Sequence, residues 1–325
     1  MNKELSYKIN KLYDENPLFQ DFNGYILVKD RNKIIFQQGF GYSDFNSKKN
    51  ANEDTIFNIG SITKQFTAVC VLQLEQKGLL SIDDNTIKYL PDFINGKGLI
   101  IRDLLNMISG MPEYWCKPEW HETAITTSED SYEFIKTLSD YQPPKKRFEY
   151  CNSNYIVLGK LIERVSGQSL VDYMNQNIFT PLNMKRTSML PVNPTDTNLA
   201  IGYKSPRISK WEENLTTITT SFAGAGGIYS TAADLCKWDE ALYTEKILCN
   251  ELLKESFRPV LSGYAMGWFI NGNYACHGGD APGYSTKIVR ISDRNLLVLF
   301  LCNFDGCKES NMNHYSGMLE KLILE

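Results

Sequence analysis

The stretch from Ser61 to Leu80, SITKQFTAVCVLQLEQKGLL, is where the chain changes character. Apolar residues recur through it at helical spacing, and the pattern stops at Gly78, a residue suited to the left-handed backbone that closes helices. The same signature returns in residues 101–112, IRDLLNMISGMP, which stop at Gly110-Met111-Pro112, and in residues 155–166, which stop at Gly167. Residues 61 to about 214 therefore read as mainly helical.

On either side the texture is that of strands. After an amphipathic helical opening, MNKELSYKINKLYDENPLF, residues 24–28 and 33–38 form two short β-rich runs joined by Lys29-Asp30-Arg31-Asn32, which reads as a hairpin. In the last third, residues 264–270 and 274–277 flank Asn271-Gly272, a dipeptide that supplies the positive φ angles of a tight hairpin turn. Residues 285–291 and 296–302 follow, and the second of these is a continuous apolar run that suits a strand buried on both faces. A helix over roughly 308–324 closes the chain. The fold expected is α+β, with an antiparallel sheet built from both chain ends, flanked by helices, and an inserted, mainly helical lobe. Residues 1–60 and 215–325 would form the discontinuous sheet lobe and residues 61–214 the helical one.

Composition narrows the function. The 325 residues carry 34 Lys+Arg against 38 Asp+Glu, a formal charge of −4, which lacks the positive footprint of a nucleic-acid binder. No apolar run approaches the ~20 residues needed to span a bilayer. The N-terminus lacks the apolar core of a secretory signal, so a cytoplasmic location is expected for the sequence as it stands, and an extracytoplasmic one if it is trimmed from a longer chain. Eight cysteines without a CxxC pair read as reduced thiols, and three distant histidines (His121, His277, His314) offer no zinc-ligand spacing. No cofactor and no metal are expected, and the partner is expected to be a small-molecule or peptide substrate.

Three sites carry candidate chemistry. Ser61 and Lys64 stand three apart at a helix start, so hydroxyl and amine share a face, and a lysine whose ammonium form is disfavoured by burial can activate the serine. The bland alternative is that Ser61 caps the helix and Lys64 is a surface residue. Tyr150-Cys151-Asn152 offers a phenol for proton transfer and an amide for an acyl substrate, or equally a buried aromatic and a helix cap. His277-Gly278-Gly279-Asp280 follows a strand run; its glycines let a strand edge approach a ligand, or simply form a turn.

Together, Ser61-x-x-Lys64, Tyr150-x-Asn152 and His277-Gly278-Gly279 resemble the active-site triplet of the serine β-lactamase and penicillin-binding protein superfamily. The Tyr-x-Asn form is similar to class C β-lactamases and to related D-alanyl-D-alanine carboxypeptidases, D-aminopeptidases and esterases. Phe57-Asn58-Ile59-Gly60, residues 102–112 and residues 225–235 carry the same likeness, which runs from about residue 20 to 305. The resemblance implies an acyl-enzyme hydrolase in which Ser61 is the nucleophile, Lys64 the acylation base, and Tyr150 a proton shuttle and deacylation base. Asn152, His277, Gly279 and Asp280 would contact substrate, and the backbone N–H groups of Ser61 and Asp280 would form the oxyanion hole.

Two departures bear on substrate. Related enzymes more often carry lysine where His277 stands, and a histidine is mostly neutral at pH 7, which weakens recognition of a substrate carboxylate. Asp280 would act in the same direction if its side chain faces the cleft. An ester, an amide or a D-amino-acid peptide is the expected substrate, with a true β-lactamase and a non-turnover penicillin-binding sensor as alternatives. Cys151 reads as a spacer. The aromatic segment 113–120 reads either as a substrate pocket or as a loop pinned by two tryptophans, and Gly224-Ala225-Gly226-Gly227 as a weak hint of a phosphate cradle.

Overall fold

A computed structural model of the chain describes residues 3–16, 19, 22–122, 127–189, 196–204, 222–304 and 309–324, without the side chains of residues 121–122, 309–314 and 324. The strands are β1 (Gly24–Asp30), β2 (Lys33–Phe40), β3 (Tyr42–Asp44), β4 (Lys49–Asn50), β5 (Phe57–Asn58), β6 (Ser188–Met189), β7 (Ile228–Ser230), β8 (Tyr264–Ala265), β9 (Trp268–Asn271), β10 (Tyr274–Ala281), β11 (Tyr284–Ile291) and β12 (Leu296–Cys302). The helices are α1 (Lys3–Glu15), α2 (Thr63–Gln76), α3 (Ile101–Leu105), α4 (Pro118–Glu122), α5 (Ser128–Thr137), α6 (Asn152–Ser166), α7 (Leu170–Met174), α8 (Ala232–Ala241), α9 (Asn250–Ser256) and α10 (Glu309–Leu324).

Seven strands form one antiparallel sheet in the order β2-β1-β12-β11-β10-β9-β8, so the first hairpin pairs with the last strand of the chain through Gly24↔Cys302 to Asp30↔Leu296. The apolar run of β12 is fully buried because both faces are covered. Successive side chains alternate across a strand. Leu297, Leu299 and Leu301 accordingly join the large core under the helices, while Leu296, Val298, Phe300 and Cys302 face Leu5 and Ile9 of α1 and Tyr315 and Leu319 of α10.

On the first face, α8 is anchored electrostatically. Asp239 of α8 meets Arg290 of β11 at 2.6 Å and Lys29 of β1 at 3.1 Å, and all three are almost fully buried. The Arg290 guanidinium also lies 4.5 Å from the ring centroid of Tyr243.

Several local expectations shift. The turn between β9 and β10 is Gly272-Asn273, because Asn271 still pairs with Tyr274; Gly272, at φ +60, takes the first central position. Residues 264–270 make two strands, interrupted at Met266-Gly267. The glycines after His277 form no turn. Strand β10 continues to Ala281, paired with β11 through Gly279↔Thr286 and Asp280↔Ser285. A three-stranded sheet of order β5-β7-β6 has no counterpart in the sequence reading, since strands of two or three residues show no periodicity. The seven described cysteines form no disulfide with one another, and Cys307 lies outside the described residues.

Candidate active site

The site is built around one turn. Strand β5 pairs with β7 at Phe57↔Ser230 and Asn58↔Tyr229, which fixes the chain just before the 3-10 turn Gly60–Ile62. Gly60 has φ +50, and its N–H donates to the Asn58 side chain at 2.9 Å. A Cβ at Gly60 would lie 2.7 Å from the main-chain nitrogen of Asp280, so β10 stands directly against this turn. Gly279 is equally constrained, since a Cβ there would meet the Ile59 carbonyl oxygen at 2.0 Å. Thr286 on β11 joins the two segments by donating to the carbonyls of Ile59 and Gly279, each at 3.1 Å.

Ser61 lies within this turn and precedes α2, whose N-terminal dipole favours negative charge developing at a nearby oxygen. Lys64, in the first turn of α2, is 0% exposed, which overturns the surface-residue alternative. Its Nζ contacts Ser61 Oγ at 2.9 Å, Asn152 Oδ1 at 2.8 Å and the Ala225 carbonyl at 2.8 Å. Burial lowers its pKa to about 7, against the opposing pull of Glu113. The geometry then has a chemical meaning. Asn152 Oδ1 and the Ala225 carbonyl only accept, so they take two N–H bonds of the amine. In the neutral amine the remaining lobe is a lone pair directed at the Ser61 hydroxyl.

Asn152 is the first residue of α6, and Cys151 takes the capping position, so the Asn152 side chain is free for the site. Its Oδ1 faces Lys64 and its Nδ2 donates to Glu113 Oε2 at 3.0 Å. Tyr150 is partly buried, with its ring centroid 5.0 Å from Lys64 Nζ and 5.8 Å from the His277 ring. Cys151 is buried, its thiol pushed up to about 12 by desolvation, which suits a spacer and not a nucleophile.

His277 is buried among Tyr150, Tyr264 and Phe269. Burial, reinforced by the charge of Lys64, lowers its pKa to about 3, so the ring is neutral. Its Nδ1 lies 2.6 Å from the Gly278 carbonyl, which can only accept, so Nδ1 carries the hydrogen and Nε2 a lone pair. Asp280 is exposed and on the opposite face of β10 from His277 and Gly279; its carboxylate accepts from Ser285 Oγ at 2.5 Å. The turn and β10 thus bring Ser61, Gly279 and the Asp280 backbone together, while the Asp280 side chain points elsewhere.

Other readings resolve differently. The glycines of 224–227 are packing residues: a Cβ on Gly224 would meet the Tyr155 carbonyl at 2.4 Å, and the segment delivers the Ala225 carbonyl to Lys64. No phosphate cradle is implied. In the aromatic segment, Tyr114 and Trp120 pack edge to face at 4.4 Å, and the Tyr114 N–H donates to Ser153 at 3.1 Å, which pins the loop to α6. Trp115, 44% exposed, instead approaches Phe222 at 5.9 Å. Glu113 and Ala225 escaped the sequence reading as site residues. A lone acid beside the Ser109-Gly110 turn was a signal for the first, and nothing local marked the second.

Among the described residues, no group of three or more His, Cys, Asp or Glu is arranged to hold a metal ion, and no helix is long and apolar enough to cross a membrane. The family model described as Beta-lactamase matches residues 18–318. A penicillin-binding protein of Bacillus subtilis (strain 168) is 29% identical over 325 residues, covering 92% of this chain and 71% of its own length. PbpX of the same strain is 30% identical over 299 residues, covering 90% and 74%. The crystal structure of D-amino acid amidase from Ochrobactrum anthropi SV3, complexed with L-phenylalanine amide, aligns over 99% of both chains at a TM-score of 0.83 and 21% identity, a likeness of fold.

Proposed function

Because the chain belongs to the beta-lactamase family, we propose that it is a serine hydrolase that works through an acyl-enzyme on an ester, an amide or a D-aminoacyl substrate. The observation that carries this reading is the 2.9 Å contact between a fully buried Lys64 amine and Ser61 Oγ, with the other two amine contacts taken by acceptors. In the first step Ser61 Oγ attacks the substrate carbonyl carbon and its proton passes to Lys64 Nζ. The negative charge on the former carbonyl oxygen is held by the N–H groups of Ser61 and Asp280, with the α2 dipole behind the first. The leaving group departs with a proton supplied through Lys64 and Tyr150. Water then attacks the ester carbon as its proton passes by way of Tyr150 to the neutral Lys64 amine, and the bond to Ser61 breaks as Lys64 returns that proton to Ser61 Oγ.

Asn152 and His277 are assigned to substrate binding. A neutral His277 provides a hydrogen-bond acceptor and no fixed positive charge, which favours substrates not anchored by a carboxylate over penicillins. The fold-level likeness to a D-amino acid amidase agrees with that preference. The site lies between the proposed sheet lobe of residues 1–60 and 215–325 and the helical lobe of residues 61–214.

The test is intact-protein mass spectrometry after exposure to a fluorophosphonate, an activated ester and a penicillin. Absence of an adduct at Ser61 with all three sinks the proposal. Turnover of D-aminoacyl and ester substrates, beside a chromogenic cephalosporin and a Ser61→Ala control, then assigns the substrate class. An adduct that persists for hours with every substrate would assign a sensor.

A further inference from the structure

Glu113 stands at the end of the turn that begins at Ser109, where its Oε2 accepts from two donors of one residue: the Asn152 main-chain N–H at 2.6 Å and the Asn152 Nδ2 at 3.0 Å. An amide side chain has one donating and one accepting end, so a carboxylate that holds the donating end turns the accepting end away. That end, Oδ1, lies 2.8 Å from Lys64 Nζ. With the amide reversed, nitrogen would face the amine and oxygen the carboxylate, and both contacts would be lost. The second oxygen of Glu113, Oε1, is buried with no hydrogen-bond partner among the described residues. An unsatisfied buried carboxylate oxygen opposes folding, and a methionine of similar length would fill the space without it.

Building on the hydrolase reading above, we propose that Glu113 is a positioning residue for acylation: it fixes the Asn152 amide so that Asn152 and Ala225 occupy two N–H bonds of Lys64 and the third direction of the amine faces Ser61 Oγ. Its charge has a second effect. A carboxylate beside the buried amine stabilises the ammonium form and offsets part of the desolvation that lowers the Lys64 pKa. The other ionisable groups around the amine are Tyr150 and Cys151 ahead of α6, Tyr155 on α6 and His277 on β10. Burial raises the Glu113 carboxyl itself, while the Asn152 donors and Lys64 pull it back down.

The test is the rate of Ser61 acylation by an activated ester as a function of pH, per active site counted with a fluorophosphonate, so that loss of folded protein is separated from loss of rate. Glu113→Gln keeps an accepting oxygen and drops the charge. Its midpoint should fall by roughly one pH unit with most of the plateau rate retained. Glu113→Asp keeps the charge but withdraws the oxygen by one methylene. Its plateau should fall roughly tenfold with the midpoint near that of the parent. If both variants match the parent in midpoint and in plateau rate, Glu113 is a packing residue and the proposal is overturned. Absence of any Ser61 adduct in the unaltered protein is a distinct result, which overturns the hydrolase reading and this inference with it.

Discussion

Lys64 Nζ lies 2.9 Å from Ser61 Oγ, and both other hydrogen bonds of that amine end on acceptors. The amine is therefore the group best placed to take the serine proton. Lys64→Met keeps the length and apolar stem of the side chain and removes the amine. It should slow Ser61 acylation by about 10²- to 10⁴-fold, measured by intact mass against time, with far-UV circular dichroism unchanged.

The pH dependence follows from the lowered pKa. In the proposed role Lys64 acts as the neutral amine, so below about 7 the active fraction falls as protons bind, and above that value it is complete. The acylation rate should rise about tenfold per pH unit below the midpoint and level off above it. A profile that is flat from pH 5 to 9 would remove Lys64 as the base.

His277, held neutral with a pKa near 3, contributes no inflection in the usual histidine range. His277→Ala should weaken substrate binding more than it slows the bound reaction, so that KM rises more than kcat falls. Complete loss of acylation in a folded His277→Ala protein would assign the ring to proton transfer instead.

Gly279→Ala tests the contact between β10 and the turn that holds Ser61. A Cβ there would sit 2.0 Å from the Ile59 carbonyl oxygen and 2.6 Å from Thr286 Oγ1, so backbone must move. Stability should drop by roughly 1–3 kcal/mol in urea denaturation, and acylation per folded molecule should fall as well, because the same strand lies beside Gly60.

Asp239→Ala tests the anchor of α8. It leaves Lys29 and Arg290 as buried charges without their common partner. The expected cost is about 3–5 kcal/mol, read by denaturation.

Much of this was legible in the sequence where the signal was local. The stop of α6 at Gly167 is an αL cap at φ 71, and the apolar run of β12 implied the two covered faces that it has. Shifts arose where a pairing partner overrode local preference. Glycines at 278 and 279 allowed either a strand edge or a turn; β11 holds them in strand, and the approach of Ile59 excludes a side chain at Gly279. The strands β5, β6 and β7 are too short to carry a period, although they fix the turn that holds Ser61.

The sequence by itself determined the family likeness, the alternation of strand and helix, and the opportunity for Ser61 and Lys64 to share a face, because positions three apart near a helix start lie on one side. Tertiary structure decided what surrounds them. Asn152 and Ala225 reach the Lys64 amine from 88 and 161 positions away, and Glu113 reaches Asn152 across 39. Those approaches, and the burial that lowers the amine's pKa, exist only once the sheet and helices have packed, since desolvation is a property of the assembled interior and of no single segment.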